Sequence, residues 1–582
     1  MYRSIAILPA LLPLTLATFT SASADSLRIS HLQRCGNLLD PNTLHYCLDV
    51  NSSGKTPQVL LDGEALPAPS ILQTERGLRL RLDVDQPSGP LWLELDGEQS
   101  NPVWLSTRRS HVIAAAEDEV ATNQDGLTTW VNLISLIIEE QHDGLQEAQR
   151  LAEKYGAEVV GAIPPLNTYQ LRLPARNLEQ RDALVLRLGN EVSVDAVVIE
   201  ESSPEEAAER DKPAKPEDAG REWAANRLLD AVVYYQRRLG DGDIPLQPVR
   251  IGVIERDVDF DSPDFADYLG NCRRDSQRTC VYARDAESPS GHGSTVTGVL
   301  AANREDPGSS GFLRALDDAG PGFDVIVERG SDGGITANVA ASVNLVEDGA
   351  RIINWSWGLH RIGTMDVNGD PVDSLVRSGV AMSGYEELLE EFFLWLRAEH
   401  PDVVVVNSAG NGAAHSGRDE YRLPSSFVTD QLFVVGGHQR SKGKTEVENP
   451  GYAVRRKTSN VDMRVDITAS ACVEGASSKR GEPGEAHCGT SYSTPLVAGV
   501  IAAMLSINPE LEPEQIRMLL RRSAMTIGPE QDFEAPDGDD LTAPILPSER
   551  NNQLNDPDVG HSARLDMYRA LDLAVKSRDR VR

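Results

Sequence analysis

Apolar and polar positions alternate in short segments near the start of the chain. The alternation is clear at residues 78–82 and 91–95, and an Asp-Gly pair at 62–63 follows an earlier apolar run. A period of two, interrupted by Asp-Gly turns, is typical of antiparallel strands. We therefore predict a small β-sandwich-like module over residues 25–105, followed by a linker over 106–126.

The hydrophobic period changes over residues 127–201. Strand-like runs now alternate with amphipathic stretches in the order strand 132–138, helix 145–154, strands 157–160 and 168–173, helix 178–188 and strand 192–199. This β-α-β-β-α-β order predicts a ferredoxin-like α+β domain. The segment 202–219 is rich in Glu, Lys, Pro and Ala, which predicts an exposed linker and a zone open to proteolytic maturation.

Longer apolar strands alternate with helical stretches from residue 220 to about 575. The strands are predicted at 249–254, 351–354, 403–406 and 432–435. Such alternation predicts an α/β domain with a parallel sheet and helices on both faces. The stretch 494–505 is apolar nearly all round, so we expect a buried helix that is too short to cross a membrane.

Composition and charge narrow the possible functions. The 582 residues are 40% hydrophobic, which is a globular composition, and 56 Lys+Arg against 89 Asp+Glu leave a net charge of −33. A chain this acidic lacks the basic surface needed to neutralise phosphates, so nucleic-acid binding is not expected.

The N-terminal residues predict export. Arg3 precedes an apolar run at 5–19, and an Ala-Ser-Ala sequence ends at residue 24. This is the pattern of a signal peptide over residues 1–24, which predicts a secreted or periplasmic protein with no membrane span after cleavage.

The cysteines agree with an oxidising compartment. Neighbouring cysteines are 12, 8 and 16 residues apart, which favours three local disulfides, although spacing alone leaves other pairings open. The three candidate pairs are Cys35 with Cys47, Cys272 with Cys280, and Cys472 with Cys488. No His or Cys spacing resembles a zinc site.

Candidate chemistry is concentrated in the segment GTSYSTP at 489–495. It places Ser491 at the start of an apolar helix, where free N–H groups and the positive end of the helix dipole can stabilise an oxyanion. Pro495 fits a position in the first helical turn. A helix cap without chemistry is the alternative reading of this segment.

Three further segments contain the side chains that such a serine needs. His292 begins a helix in HGSTVTG and can act as a general base toward Ser491. Asn411 follows an apolar strand in a small-residue turn, where its amide can donate to an oxyanion. Glu255 directly follows another strand and can orient the imidazole of His292. Each of these residues, taken alone, can also be an ordinary surface or capping residue.

In this order, the four segments resemble those of the subtilisin-like serine proteases, or subtilases. In that family an acid ends one strand, and the motifs HGTxVAG, AAGN and GTSxSxP carry the His, the oxyanion Asn and the Ser. The resemblance covers about residues 220–575. It implies that Ser491 is the nucleophile, that His292 is the general base, and that Asn411 and the Ser491 N–H form the oxyanion hole.

One position departs from the family pattern. The family has Asp in an Ile-Asp-Thr-Gly-Val segment, whereas this chain has Glu255, one methylene longer, in Ile-Glu-Arg-Asp-Val. Asp257 is a second candidate for the acid. Glu255 is preferred because Asp257 lies further along the turn.

The resemblance also implies a substrate, an inhibitor and a set of supporting residues. The backbone of Ser356, Trp357 and Gly358 would pair with an extended polypeptide substrate, with Trp357 narrowing a pocket. Residues 127–201 would be the propeptide, which blocks the cleft until cleavage in 202–219. The 272–280 and 472–488 disulfides would hold catalytic loops. No cofactor is expected. Asp264 lies in a segment that matches a family calcium site in part, and a structural calcium stays an open alternative.

Together these expectations describe an exported serine endopeptidase that acts through an acyl-enzyme on Ser491. A catalytically weak or inactive subtilase scaffold that binds peptides or assists a partner is the alternative, and the glutamate at 255 favours it. A further alternative is an adhesion or matrix-binding protein that uses the 25–105 module.

Overall fold

A computed structural model describes residues 27–202 and 223–578, with gaps in the second range and a few in the first. The gaps are 38, 41, 51–54, 240–243, 273–277, 287–290, 305–309, 330–332, 361–380, 413–421, 442–445, 461–463 and 528–562. The predicted signal peptide and residues 203–219 of the predicted maturation linker lie outside the described residues.

Residues 27–105 form two antiparallel sheets that share one apolar core, as the alternating pattern predicted. One sheet has the strand order β1-β2-β6-β5, and the other has the order β4-β3-β7-β8 with β9 paired to β7. The strands are β1 (Ile29–Arg34), β2 (Thr43–Val50), β3 (Gln58–Leu61), β4 (Glu64–Ala65), β5 (Ile71–Gln73), β6 (Gly77–Asp83), β7 (Gly89–Leu95), β8 (Glu98–Gln99) and β9 (Val103–Leu105). Leu78, Leu80 and Leu82 of β6 are buried while the residues between them face outward, so one face of each sheet forms the core.

The prediction of a plain linker over 106–126 is wrong. The segment contains β10 (Val120–Thr122), which pairs with β11 (Thr128–Trp130), and it buries His111 and Val112. The sequence did not show this because a three-residue strand is too short to display a period, and its partners lie elsewhere in the chain. We call residues 106–126 the connector.

Residues 127–202 contain the predicted ferredoxin-like fold. The elements are β12 (Leu133–Ile138), α1 (Gly144–Tyr155), β13 (Glu158–Ile163), β14 (Thr168–Arg172), α2 (Leu178–Leu188), β15 (Val194–Val198) and the short strand β16 (Glu201–Ser202). The sheet order is β13-β14-β12-β15. Asp143 and Asn177 cap the two helices by accepting from the backbone N–H groups of residues 146 and 180, and Gly156 ends α1 with φ of 68°. We call residues 127–202 the propeptide-like domain.

A ten-stranded, mostly parallel sheet forms the centre of the remaining chain, which we call the catalytic domain. Its main order is β18-β19-β17-β20-β22-β24-β26-β30-β29, and the pairs β24–β25 and β29–β30 are antiparallel. The strands of this domain are β17 (Val249–Val253), β18 (Cys280–Tyr282), β19 (Phe323–Val327), β20 (Ile352–Trp355), β21 (Leu359–His360), β22 (Val404–Ser408), β23 (Arg422–Leu423), β24 (Leu432–Arg440), β25 (Ala453–Arg455), β26 (Ile467–Ser470), β27 (Cys472–Glu474), β28 (Ala486–Cys488), β29 (Met525–Thr526) and β30 (Ala563–Arg564).

Helices cover both faces of this sheet, as predicted. They are α3 (Leu228–Tyr234), α4 (His292–Ala301), α5 (Gly334–Glu347), α6 (Ala381–Glu399), α7 (Thr490–Ile507), α8 (Pro513–Ser523) and α9 (Met567–Arg578). Strands β17, β20 and β22 are neighbours and run parallel. Their carboxyl ends therefore meet at one edge of the sheet, which is where open α/β folds bind ligands.

The apolar helix α7 is buried along its whole length. Among the described residues, α7 is the helix that is long and apolar enough to span a bilayer, but it lies in the core of the catalytic domain. It begins at Thr490, so Pro495 is inside the helix and the prediction of a first-turn position is wrong. Pro495 has no N–H for the carbonyl of Ser491, and the hydroxyl of Ser356 donates to that carbonyl instead, at 2.8 Å.

Candidate active site

The candidate acid and base are in direct contact. Glu255 lies two residues beyond β17, and His292 is the first residue of α4. Glu255 Oε1 is 2.9 Å from His292 Nδ1. The glutamate side chain is 12% exposed and the imidazole is 43% exposed. A carboxylate on Nδ1 leaves Nε2, on the other side of the ring, available for proton transfer.

Gly293 allows α4 to approach the turn that carries the acid. A Cβ atom at this position would lie 2.3 Å from the carbonyl oxygen of Asp257 and 3.4 Å from Cβ of Glu255. A side chain cannot occupy that space, so glycine is required where the helix meets the turn. Asp257, the second candidate acid, contributes its backbone to this contact.

Ser491 is the second residue of α7 and is 4% exposed. Its hydroxyl donates to the carbonyl oxygen of Ser356 at 3.3 Å, which is a long hydrogen bond. The neighbouring ring of Tyr492 lies 5.6 Å from the imidazole of His292, centroid to centroid. The starts of α4 and α7 therefore meet, and they bring the predicted base and nucleophile to the same place.

The turn that carries Asn411 is bound to the start of α7. Asn411 Oδ1 accepts from the N–H of Thr490 at 2.9 Å, and the Thr490 hydroxyl accepts from the N–H of Gly410 at 3.1 Å. Gly410 has φ of 101°, a conformation that favours glycine. With Oδ1 engaged, the amide nitrogen of Asn411 is the group that can donate toward Ser491, whose own N–H lies in the first turn of the helix.

The predicted substrate-binding segment follows β20 at the same edge. The carbonyl of Ser356 faces the Ser491 hydroxyl, whereas the carbonyl of Trp357 accepts from the amide of Asn407 at 2.8 Å. Both carbonyls accept a hydrogen bond inside the domain, but the bond to Ser356 is longer and comes from a hydroxyl that can rotate away. Ser356 is therefore the better placed of these two backbone acceptors.

Sequence reasoning missed a buried arginine between residues 356–358 and the turn that carries Asn411. Arg422 is fully buried and donates to the carbonyl and, at 3.1 Å, the hydroxyl of Ser408. A Cβ atom on Gly358 would lie 2.2 Å from its guanidinium carbon, and one on Gly410 would lie 2.8 Å from its Nε. The arginine thus packs against both segments. No motif surrounds it, so no sequence signal pointed to it.

Glu200 of the propeptide-like domain was also missed. Its carboxylate accepts from the N–H groups of Ile335 and Thr336, at 3.2 and 3.0 Å, and from the hydroxyl of Tyr385 at 3.1 Å. It therefore caps the start of α5 in the catalytic domain. Burial raises the pKa of this carboxyl above its ordinary value, although the donors act in the opposite direction.

All six cysteines are paired as their spacing predicted. The disulfides join Cys35 to Cys47, Cys272 to Cys280, and Cys472 to Cys488. The last one connects β27 to β28 and ends directly before Gly489, so it restrains the chain that leads into the nucleophile segment.

The residues around Asp264 do not fit a calcium ion. Its Oδ2 atom accepts from Arg304 Nε at 3.0 Å and from the N–H of Ser477 at 3.2 Å. Arg304 also donates to the carbonyls of Glu474 and Gly475. A guanidinium thus supplies the positive charge at this carboxylate.

Away from the Glu255–His292 contact, three carboxylates lie close enough together to share a ligand. Asp195 of β15 and Glu387 and Glu391 of α6 have oxygens within 4.8 Å of one another. They face each other across the contact between the propeptide-like and catalytic domains. Burial, with Asp195 next in importance, raises the pKa of Glu387 to about 7.

Comparison with known proteins identifies the family of this chain. The sequence model of the Subtilase family matches residues 247–559, more than half of the chain. A probable subtilase-type serine protease of Deinococcus radiodurans is 24% identical over 452 residues, which are 72% of this chain and 56% of that protein. An extracellular serine protease of Serratia marcescens is 24% identical over 354 residues, which are 54% of this chain and 32% of that protein. The chain thus spans about half or less of the length of these relatives.

Solved structures of related proteases also align with this chain. The crystal structure of fervidolysin from Fervidobacterium pennivorans, a keratinolytic enzyme related to subtilisin, aligns with a TM-score of 0.48 and 15% identity over 81% of this chain and 64% of that one. The epidermin leader peptide processing protease of Staphylococcus aureus aligns with a TM-score of 0.47 and 18% identity over 76% of this chain and 99% of that one. Because the sequence model of the family matches more than half of the chain, this protein belongs to the subtilase family.

Proposed function

We propose that this protein is an exported serine endopeptidase that hydrolyses polypeptides through an acyl-enzyme on Ser491. The observation that carries the proposal is the 2.9 Å contact between Glu255 and His292. It lies near Ser491 at the start of α7, and Asn411 is hydrogen-bonded to the same helix start. Three titratable or nucleophilic groups and an amide donor at one sheet edge form the constellation that acyl transfer needs.

Each residue has a defined role in the proposed mechanism. His292 Nε2 takes the proton of the Ser491 hydroxyl as Oγ attacks the scissile carbonyl, and Glu255 stabilises the imidazolium that forms. The Asn411 amide and the Ser491 N–H donate to the oxyanion. His292 then protonates the leaving amine. In the second half of the reaction a water molecule gives a proton to His292 and attacks the acyl carbonyl, and His292 returns the proton to Ser491 Oγ as the ester bond breaks.

The proposed substrate is an extended polypeptide that binds along the segment after β20. The carbonyl of Ser356 accepts from the substrate backbone once the Ser491 hydroxyl turns toward His292. The indole of Trp357 and the buried Arg422 leave less space beside this segment than small residues would. We therefore infer a preference for small side chains next to the scissile bond.

The proposed intramolecular inhibitor is formed by residues 127–201 of the propeptide-like domain, with maturation in 202–219. Its contact with the catalytic domain supports this role, because Glu200 caps α5 and the N–H of Glu201 donates to the Tyr385 hydroxyl at 2.7 Å. This domain therefore reaches the catalytic domain just before the proposed maturation zone.

Export by the signal peptide is the proposed route to a periplasmic or extracellular site. Three disulfides, which are stable in an oxidising compartment, support it. The Serratia marcescens relative is named as extracellular, which is consistent with this proposal.

Intact mass and N-terminal sequencing of the secreted protein test the proposal. Wild type is compared with Ser491→Ala, and Ser506→Ala serves as a control, because Ser506 lies in the same helix near its far end. We expect wild type and Ser506→Ala to lose the propeptide in 202–219 and Ser491→Ala to keep it. If all three stay at full secreted length, the inactive scaffold becomes the better description, and Glu255→Asp is the variant to make next.

A further inference from the structure

The N-terminal module contacts the catalytic domain through buried side chains that lie outside its own apolar core. Asn101, which is fully buried, accepts from the N–H of Ile29 at 2.8 Å and donates to the Ile29 carbonyl at 3.0 Å. The same amide donates to the carbonyl of Ala283, directly after β18, at 2.8 Å. One side chain thus joins the first strand of the module to the catalytic domain.

Backbone hydrogen bonds extend this contact. The N–H of Ala283 donates to the carbonyl of Pro102 at 2.9 Å, and the N–H of Asp285 donates to the carbonyl of Ile29 at 2.9 Å. Strand β18 is the edge of the central sheet. The module therefore covers that edge and satisfies backbone groups just beyond it.

A buried tryptophan strengthens the same interface. Trp104 of β9 is 4% exposed and belongs to the apolar core of the catalytic domain, with its ring edge-on to Tyr282 at 5.6 Å. Its indole N–H donates to Asp348 at 2.9 Å, and Arg108 donates to the other oxygen of that carboxylate at 2.8 Å. The side chain of Asp348 is fully buried, and these two donors satisfy its two carboxylate oxygens.

The connector then binds both of the other domains. Ser110 exchanges hydrogen bonds with the side chain of Asn344 in α5, at 3.1 and 2.7 Å. Its neighbour His111 exchanges backbone hydrogen bonds with Ala162 of β13, at 2.7 and 2.8 Å. The connector is therefore a short tether between the attached module and the propeptide-like domain.

From these contacts we propose that the N-terminal module is a permanent anchor that holds the propeptide-like domain on the catalytic domain after the chain is cut between Ser202 and Trp223. One cut leaves residues 27–202 bound as a second chain. A tether of this length keeps the propeptide-like domain at a high effective concentration, so its release requires a second cut in the connector. This goes beyond the proposed function, which needs only the first cut.

The test separates this proposal from the enzyme's own activity. The full chain with Ser491→Ala is prepared with a site for an exogenous protease between residues 203 and 222, and a second version carries another site between the exposed residues Glu117 and Asp118. After cutting, the fragments are separated by size-exclusion chromatography over a dilution series and identified by mass. Because Ser491 is absent, failure of the proposed peptidase cannot alter the result.

After the single cut, we expect residues 27–202 to stay bound to the catalytic chain. After the double cut, we expect residues 27–117 to stay bound and residues 118–202 to dissociate. The protein concentration at which 118–202 dissociates should be about 10²-fold higher or more than that at which 27–202 dissociates after the single cut. In the singly cut protein, the double variant Asn101→Ala and Trp104→Phe should weaken the binding of residues 27–202. These residues should then dissociate at a protein concentration at least about tenfold higher than in the parent. Leu72→Ala, an exposed position of the same module, should not weaken this binding.

Release of residues 27–202 from the singly cut parent would overturn the anchor. Equal retention in the parent and in the Asn101 and Trp104 variant would also overturn it, because the propeptide-like domain would then be holding itself. Circular dichroism of each uncut variant checks that the change acts on the interface of a folded protein.

Discussion

Glu255 contacts Nδ1 of His292 at 2.9 Å, although an aspartate is usual at this place in the subtilase pattern. Glu255 lies two residues beyond β17, and Gly293 lets α4 approach the turn that carries this acid. The position of the carboxylate relative to the imidazole is thus set jointly by the side-chain length and by the distance between strand and helix.

This relationship predicts the effect of changing the acid. Glu255→Gln should lower the rate of self-processing by about 10⁴-fold, because an amide stabilises neither the correct tautomer nor the imidazolium. Glu255→Asp should lower it by about 10²-fold, because the shorter side chain withdraws the carboxylate by more than 1 Å. The rate is measured by intact mass of the purified precursor over time.

Asp257→Asn is the matched control for the acid. It removes a nearby carboxylate while leaving the backbone contact of residue 257 with Gly293. A larger loss in Asp257→Asn than in Glu255→Gln would assign the triad acid to Asp257.

The oxyanion turn predicts a loss confined to the chemical step. Asn411→Ala should lower kcat on a peptide substrate by about 10²–10³-fold with little change in KM, because the amide donates only to the charge that develops. Asn449→Ala is the control, since Asn449 caps a remote turn at Gly451 by the same type of hydrogen bond. A KM effect without a kcat effect would place Asn411 in substrate binding instead.

Ser356 and Pro495 should be energetically coupled through the carbonyl of Ser491. In the inactive Ser491→Ala background, Ser356→Ala should lower the free energy of unfolding by about 1–3 kcal/mol, because it leaves a buried carbonyl without its donor. Pro495→Ala restores a backbone N–H that can fill the same role. The free energy of unfolding is measured by denaturant for both single variants and the double variant. Ser356→Ala should lower it less when residue 495 is alanine. Additive effects of the two substitutions would contradict the coupling.

The carboxylates between the domains predict a pH-dependent association of the propeptide-like domain. Burial and the neighbouring Asp195 raise the pKa of Glu387 to about 7, and burial and nearby acids, Glu140 first, raise the pKa of Glu391. A raised pKa means that the associated state binds protons more strongly than the separated state. Association is therefore strongest at acidic pH and weakens as the pH rises through about 7.

The pH dependence is measured on the doubly cut Ser491→Ala protein, in which the connector no longer joins residues 118–202 covalently to the N-terminal module. Dissociation of residues 118–202 should increase between acidic and mildly alkaline pH. Glu387→Gln should reduce this change, because its amide does not ionise. The same slope in Glu387→Gln would show that other groups control the association.

The buried pair of Arg304 and Asp264 predicts stability that does not depend on calcium at this position. Arg304→Met should lower the free energy of unfolding by about 3–5 kcal/mol, because it leaves a buried carboxylate without its cation. Lys479→Met, which removes an exposed partner of Glu482, should change it by about 1 kcal/mol or less. A chelator that lowers the Tm of wild type as much as Arg304→Met does would contradict the assignment.

Several local features of the molecule could be predicted because their causes are local. The alternation in β6, the periodicity of α2 and the apolar runs of β17 and β22 depend on neighbours a few residues away. The same is true of His292 at a helix start and Asn411 in a tight turn after a strand. The cysteine pairs, separated by 16 residues or fewer, also belong to this group.

Features that depend on distant partners did not appear in the sequence. Glu200 caps a helix that begins more than 130 residues later, Arg422 packs between two glycines of separate segments, and the connector becomes structured by pairing with other domains. None of these contacts imposes a period or a spacing on the residues involved.

Thus the sequence by itself determined the strands, the helices and the residue types that end them, since short-range hydrophobic periodicity and turn chemistry decide those. Only the tertiary structure decided that Glu255 reaches His292, that Ser356 replaces the hydrogen bond missing at Pro495, and that the N-terminal module is joined to the catalytic domain. The physical reason is that these contacts require particular atoms within about 3 Å of each other. That distance is set by how whole strands and helices pack, which no local pattern encodes.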